Sequence, residues 1–144
     1  MAIIALNHEF IDIIFKTLNS LETDDLSDES FAKLGALFSD KLVIAALDLV
    51  DRGNVIKHIF PWDDRSEYEV LGTSAKYTVQ LDLPVAQVPF YCSCPAFAQL
   101  VLSTGTHVMC KHVLASLLAR HLSLCIDRPV DLDELVEIFS KQLE

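Results

Sequence analysis

The stretch CSCPAFAQLVLSTGTHVMCKH, residues 92–112, begins with Cys-x-Cys and ends with Cys-x-His. Three thiols and one imidazole are a ligand set that zinc prefers at a closed, tetrahedral structural site. Within each pair the second ligand is two residues from the first, so it needs little extra ordering to reach the same ion. The sequence therefore predicts one structural Zn²⁺ held by Cys92, Cys94, Cys110 and His112. The alternative is small buried core cysteines beside a chance histidine.

The two pairs lie where predicted elements end or begin. Cys92 and Cys94 come just before Pro95, at the end of a short predicted strand. Residues two apart on a regular helix point in nearly opposite directions, so Cys110 and His112 can share an ion only at a helix start. There a thiolate also gains from nearby amide dipoles. The zinc site is thus expected to tie a sheet to a long helix.

Residues 1–53 have the apolar periodicity of three helices and form a predicted N-terminal helical region. Each helix has a suitable N-cap: Asn7, Ser27 and Ser39. Gly53 suits the left-handed backbone that ends a helix. The apolar face of the first helix, with Phe10, Ile14 and Phe15, is a candidate partner surface or ordinary core.

Residues 54–125 combine strand patterns, the zinc motif and a long helix into a predicted zinc-binding region. A turn is expected at Pro61–Asp64. A small antiparallel sheet is expected from four stretches: Val55–Phe60, Tyr68–Val70, Tyr77–Leu81 and Val88–Tyr91. Two helices are expected to follow: Ala96–Leu102, and Met109 or Cys110 to about Leu124. Residues 126–144 form a last helix capped by Asp131. The predicted fold class is α+β, in one compact domain.

The composition fits either a chain that shares part of its apolar surface with another protein or one with a generously packed core. Apolar residues make up 51% of the sequence, and the mean hydropathy is +0.35. No segment approaches the eighteen or so uninterrupted apolar residues of a membrane span, and no basic leader precedes the first helix. We therefore expect no membrane association and a reducing, intracellular setting, in which paired cysteines bind metal rather than form disulfides.

The formal net charge of −10 argues against autonomous, sequence-blind binding to nucleic acid. The charge is uneven, because residues 83–126 contain no Asp or Glu and only Lys111 and Arg120 as formal cations. A buried core beside a metal site explains this window, since neither tolerates unpaired carboxylates. A face that must not repel a polyanion is the alternative explanation.

The remaining cysteine and histidines fit the metal site less well. Cys125 and His121 are predicted farther along the long helix than the cluster can reach, and Cys125 is predicted to be core. His107 lies in the loop before the helix and could replace His112. His8 and His58 have no matching partner and are expected to be solvated or locally hydrogen-bonded.

The sequence offers little support for an enzyme. All four positions of the predicted zinc site are filled by protein ligands, whereas a catalytic zinc keeps one open. The acid-free window supplies no glutamate to shuttle protons beside the metal. A nucleophile pair of Cys110 with His107 or His112 would lack an orienting third group, and no nucleotide-binding glycine motif is present.

Cys92-Ser-Cys94-Pro-Ala-Phe97 and Cys110-Lys-His112-Val-Leu-Ala115 resemble the SWIM zinc-binding domain. The flanking stretches Ala46–Arg52 and Tyr68–Ser74 narrow the resemblance to the stand-alone SWIM subunit of the Shu complex, a homologous-recombination mediator. The similarity covers about residues 45–121.

That resemblance implies zinc ligation by the same four residues and a nuclear protein with no enzymatic activity. It also implies a RecA-like recombinase paralogue as partner, in a heterodimer. The pair would promote recombinase filament assembly on single-stranded DNA, and this chain would contact that DNA weakly or through the partner.

Two other functions remain open at the level of sequence. A free-standing nucleic-acid-binding module would use Lys111, Arg120 and stacking near Phe97 or Tyr91. A protein-interaction adaptor unrelated to DNA would use the same zinc module for another partner. The residues that bind a partner are not identifiable from the sequence.

Overall fold

The computed structural model describes residues 8–24, 26–61, 67–84 and 88–143. Its helices are α1 (His8–Asn19), α2 (Asp28–Leu37), α3 (Asp40–Asp51), a π-helix (Phe97–Ser103), α4 (Lys111–His121) and α5 (Leu132–Leu143). Its strands are β1 (Val55–Ile59), β2 (Glu67–Leu71), β3 (Lys76–Gln80), β4 (Tyr91–Cys92) and β5 (Ile126–Pro129). The predicted cap Asn7 and most of the predicted turn at Pro61–Asp64 lie outside the described residues.

The five strands form one mixed sheet in the order β4-β3-β2-β1-β5. The first four strands pair antiparallel, as predicted, whereas β5 pairs parallel to β1 with Ile56 opposite Ile126. The α+β class is confirmed, but the sheet is larger than predicted. The stretch Ile126–Pro129 was not predicted as a strand because it lacks alternating apolar residues. It also contains a proline, which is compatible only with an edge strand.

The predicted caps on the described helices are confirmed. The side-chain oxygens of Ser27 and Ser39 accept hydrogen bonds from amides in the first turns of α2 and α3, at 3.2 Å in both cases. Asp131 does the same for α5, accepting from the Glu134 amide at 2.8 Å. Gly53 adopts a φ of 70° after α3, the left-handed conformation that the sequence predicted.

Helix α4 ends earlier than predicted, at His121 rather than near Leu124. Ser123 takes a φ of 56°, and the Leu124 amide donates to the carbonyl of Ala119 at 2.8 Å. This hydrogen-bond pattern is a Schellman motif, which usually contains glycine at the left-handed position. A serine there gives the sequence no stop signal, so the prediction of the helix end was wrong.

The core is built around α4, which packs against α1, α3 and the sheet. Every residue from His112 to Ala119 is buried, so this helix is covered on all sides rather than along one apolar stripe. Ile14 of α1 is also buried, and Phe10 and Phe15 pack against the core. Of the two interpretations that the sequence left for this face of α1, partner surface or core, the structure supports core for most of it. Within the described ranges, no helix has the length and apolar character needed to cross a membrane.

Candidate metal centre

The structure brings together the four predicted ligands. The sulfurs of Cys92, Cys94 and Cys110 and a ring nitrogen of His112 all lie within 4.8 Å of one another. All four residues are buried. Among the described residues, this is the one group of histidine, cysteine and acidic side chains with the spacing of a metal site.

Strand pairing fixes the first ligand pair. Cys92 belongs to β4 and lies opposite Val79 of β3. Beyond the end of the strand, the amide of Ser93 donates to the carbonyl of Thr78 at 3.0 Å, and the Thr78 amide donates to the Ser93 hydroxyl at 2.9 Å. Ser93, between the two cysteines, is thus bonded to Thr78 through both its amide and its hydroxyl. This anchors the knuckle to the sheet.

Backbone and aromatic contacts hold Cys94. The amide of Phe97 donates to the Cys94 sulfur at 3.3 Å, as expected for a turn that folds around a thiolate. The Phe97 ring is fully buried and meets the rings of Phe90 and Tyr91 edge-on, at centroid distances of 6.4 and 5.7 Å. These contacts fix the start of the π-helix beside the site.

The second pair uses the first turn of α4, as the sequence predicted. Cys110 is the N-cap residue and has an extended backbone (φ −90°, ψ 173°), so its side chain is not constrained to the helix surface. Nδ1 of His112 lies 3.7 Å from the Cys92 sulfur and 3.9 Å from the Cys110 sulfur. The imidazole therefore points at the cysteines from the first turn of the helix.

Tyr77 contacts the ligand His112, and no sequence pattern indicated this role. Its ring lies against the His112 ring with centroids 4.6 Å apart and a 38° tilt. The alternation of β3 predicted that Tyr77 and Val79 share a face, but not which helix residue they meet. The stack restrains the imidazole to the orientation in which Nδ1 faces the sulfurs.

The three thiols compete for negative charge because they are close together and buried. Hydrogen bonds from Cys110 and Cys92 lower the pKa of Cys94 far below the ordinary thiol value. The hydrogen bond with Cys110 raises the pKa of Cys92, and burial adds to it. For Cys110 the bond with Cys92 lowers the pKa, but the bond with Cys94 and burial outweigh it and raise it to about 12. By itself the cluster thus favours one thiolate over three.

A divalent cation supplies what the cluster needs to ionise all three thiols. Zinc bound in a tetrahedron to sulfur at ~2.3 Å and to nitrogen at ~2.0 Å places those two ligand atoms roughly 3.5 Å apart. Nδ1 of His112 lies 3.7 and 3.9 Å from two of the sulfurs, close to this spacing. The residues present therefore fit one zinc ion, held by three thiolates and Nδ1 of His112, whose role is to join β4 to α4.

Comparison with known proteins agrees with this site. Residues 77–121 match the SWIM zinc finger. The chain is 36% identical to zinc finger SWIM domain-containing protein 7 of Homo sapiens over 118 residues, which is 81% of this chain and 79% of the human protein. It is 33% identical to the Danio rerio protein of the same name over 124 residues (85% and 83%). The Dictyostelium discoideum homolog is 33% identical over 118 residues (80% and 70%). The chain belongs to the zinc finger SWIM domain-containing protein 7 family.

The SWIM match and the family match cover different parts of the fold. The SWIM match starts at Tyr77 and ends at His121, so it includes β4, the π-helix, α4 and the residue that stacks on His112. The match to the protein 7 relatives extends over about four fifths of the chain, beyond the zinc module itself. No solved structure is significantly similar to the chain.

The other predicted candidates lie away from the cluster. His107 is exposed, with Nδ1 3.1 Å from the Thr106 hydroxyl. His121 contacts the carbonyl of Leu21 through Nε2 at 2.8 Å. Cys125 packs against the core after α4, as the core interpretation predicted, and burial raises its pKa. The side chain of His8 lies outside the described residues.

His58 differs from its prediction. It was expected to be solvated or locally hydrogen-bonded, yet it is 5% exposed and neither ring nitrogen has a hydrogen-bond partner. Its nitrogens lie 3.7 Å from a carboxylate oxygen of Glu67 and 3.9 Å from one of Glu69. Each carboxylate approaches a different nitrogen of the ring, and among the described residues these three side chains do not form a second metal-binding group. Cross-strand pairing produced this arrangement, which no local motif indicates.

Proposed function

We propose that the chain is a non-enzymatic, zinc-stapled subunit of a Shu-type recombination mediator in the nucleus. It pairs with a RecA-like recombinase paralogue, and the pair promotes recombinase filament assembly on single-stranded DNA. The observation that carries this proposal is a closed, buried Cys₃His cluster in a chain of the SWIM protein 7 family over most of its length. The resemblance of Ala46–Arg52 and Tyr68–Ser74 to the SWIM subunit of the Shu complex supports the specific complex.

The chemistry of the site supports a structural role for the metal. Four protein ligands complete a tetrahedron and leave no position for a reacting water. The ligands are buried, and the stack of Tyr77 covers the imidazole. The free energy of zinc binding then contributes directly to folding.

Direct DNA binding receives little support from the structure. Phe97, one of the two candidate stacking residues, is fully buried and cannot receive a base. Arg120 is engaged with Asp82, with Nη1 2.5 Å from a carboxylate oxygen. Tyr91 and Lys111 are exposed, but two side chains in a chain of net charge −10 do not make an electrostatic track for a phosphate backbone. The proposal therefore assigns most DNA contact to the partner.

Co-purification from the native cell tests the proposal. We expect tagged full-length chain to retain a RecA-like ATPase and one zinc per chain. We expect Cys94→Ser to lose both zinc and the ATPase, while Cys125→Ser keeps both. Purified chain alone should bind oligo(dT) at least about ten-fold more weakly than the co-purified pair, with a shallow salt dependence.

Two outcomes would reject it. Retention of a ubiquitin ligase or other partner with no RecA-like ATPase would favour the adaptor function. Tight binding of oligo(dT) by the isolated chain, with a steep salt slope, would favour the free-standing nucleic-acid module.

A further inference from the structure

An apolar groove runs beside the zinc site between α1, the start of α3 and the segment that leads into α4. It consists of two cavities of about 460 and 380 Å³ that share Ser39, Leu42, His107 and Met109 in their walls. Phe10 lines only the first cavity, and the ligands Cys110 and His112 line only the second. The groove thus extends from α1 to the zinc site.

The charge of this groove is opposite to that of the protein. The chain carries 21 acidic and 11 basic residues, yet no aspartate or glutamate is among the described residues that line the groove. Lys41 and Lys111 are exposed on its walls, and so is His107. Asp40, next to Lys41 in the sequence, lies beside Gly35 of α2 instead. An apolar surface with a cationic border fits an apolar ligand with an anionic border.

The zinc knuckle sets the walls of the groove. Cys110 and His112 line it and are themselves the residues that join α4 to β4. Another wall comes from Leu100 and Val101 of the π-helix, a rare conformation that occurs frequently at functional sites. Loss of the metal would therefore change the shape of the groove as well as the stability of the fold.

We propose that this groove receives an acidic amphipathic helix from the protein partner. Its apolar face would fill the groove, and its Asp and Glu side chains would meet Lys41 and Lys111. The walls are helices and loops with no strand edge, so a helix in a groove fits, whereas added-strand binding does not. Single-stranded DNA fits less well because aliphatic side chains dominate the walls and stacking aromatics do not. The inference rests on the proposed function only for the identity of the protein that carries the helix.

Peptide selection tests the groove without knowledge of the partner. A displayed library of random peptides of about 16 residues is selected on zinc-loaded, full-length chain. We expect enriched peptides to carry apolar residues at i, i+3 or i+4 and i+7, flanked by Asp or Glu. Lys41→Glu/Lys111→Glu should weaken their binding about ten-fold or more, and Lys76→Glu/Lys141→Glu, away from the groove, should leave it unchanged.

Because Lys111 lies between two ligands, the zinc content of the double variant is measured, and Lys41→Glu alone serves as a second variant. A selection that yields no groove-dependent peptides, or peptides without acidic bias, overturns the inference. The inference is also overturned if the chain binds oligo(dT) more tightly than it binds the selected peptides and the same charge reversal weakens that oligo(dT) binding. If a RecA-like ATPase still co-purifies with the charge-reversed chain, the groove assignment fails while the proposed function stands.

Discussion

At the scale of single residues, Cys94 and Cys125 show how setting decides the use of a thiol. Cys94 is buried among two other sulfurs and an imidazole, while Cys125 lies outside the cluster, partly buried against the core. We predict that Cys94→Ser lowers bound zinc from one ion per chain to nearly none and costs at least ~3 kcal/mol of unfolding free energy. Elemental analysis and urea unfolding measure the two effects.

Cys125→Ser is the matched control for that substitution. It makes the same change of sulfur to oxygen at a position outside the metal site. Zinc content should therefore stay at one ion per chain, and the unfolding midpoint should barely move. Full zinc occupancy in the Cys94→Ser variant would show that the remaining residues are a sufficient site and that the cluster has been misassigned.

At the scale of elements, the loop before α2 contains a carboxylate, that of Glu22, whose charge depends on hydroxyl groups at the start of the helix. The hydroxyls of Ser30 and Ser27 donate hydrogen bonds to Glu22, and these lower its pKa from 4.5 to about 2. Because the folded pKa is depressed, the bonds stabilise the fold above pH 4.5, and this stabilisation is lost as the pH falls toward about 2. We predict an NMR titration midpoint near 2 for the Glu22 carboxyl.

Ser30→Ala should raise that midpoint toward 4.5, since the Ser30 hydrogen bond is the largest cause of the shift. Ser140→Ala, on the exposed surface of α5, should leave it where it was. A Glu22 midpoint that does not respond to loss of the Ser30 hydroxyl would mean that this bond does not form in solution.

Two glycines in helical surroundings should respond oppositely to alanine. Gly53 has a φ of 70°, and an added Cβ would lie 3.3 Å from the Ile126 side chain, so Gly53→Ala should cost about 1–2 kcal/mol. Gly35 lies inside α2, and its nearest new contact would be the Asp40 carboxylate at 3.7 Å. Gly35→Ala should therefore stabilise by about 0.5–1 kcal/mol. Thermal unfolding of the two variants gives the signs, and equal signs would contradict the backbone assignment.

The sequence predicted elements well where a local signal exists. The caps Ser27 and Ser39, the stop at Gly53 and the two ligand pairs are all short patterns whose physics acts over a few residues. The early end of α4 and the strand β5 were missed because their causes are a serine in a left-handed conformation and a distant edge of the sheet. The Tyr77 stack on His112 likewise depends on tertiary contact alone.

At the scale of the whole molecule, the high apolar content is only partly absorbed by the core. Among the described residues, several large apolar side chains remain exposed: Ile13, Ile44, Leu102, Leu124, Ile126, Leu132 and Val136. Leu132 and Val136 are one helical turn apart on α5, so this helix presents an apolar strip of its own. Composition left a surface shared with other proteins as one of two interpretations, and these exposed residues are a second candidate location for such a surface, beside the groove.

The metal links the edge of the sheet to the helix at the centre of the core, so its removal should have regional effects. Strand β4 has two residues and one neighbour, β3, and cannot hold its position by pairing alone. We predict that chelation lowers the unfolding midpoint by about 10 °C or more and speeds amide hydrogen exchange in β4, the π-helix and the first turn of α4. Exchange in α2, which packs against α1 and α3, should change least. An unaltered midpoint in demonstrably zinc-free protein would mean that packing around α4, not the ion, holds the sheet and helix together.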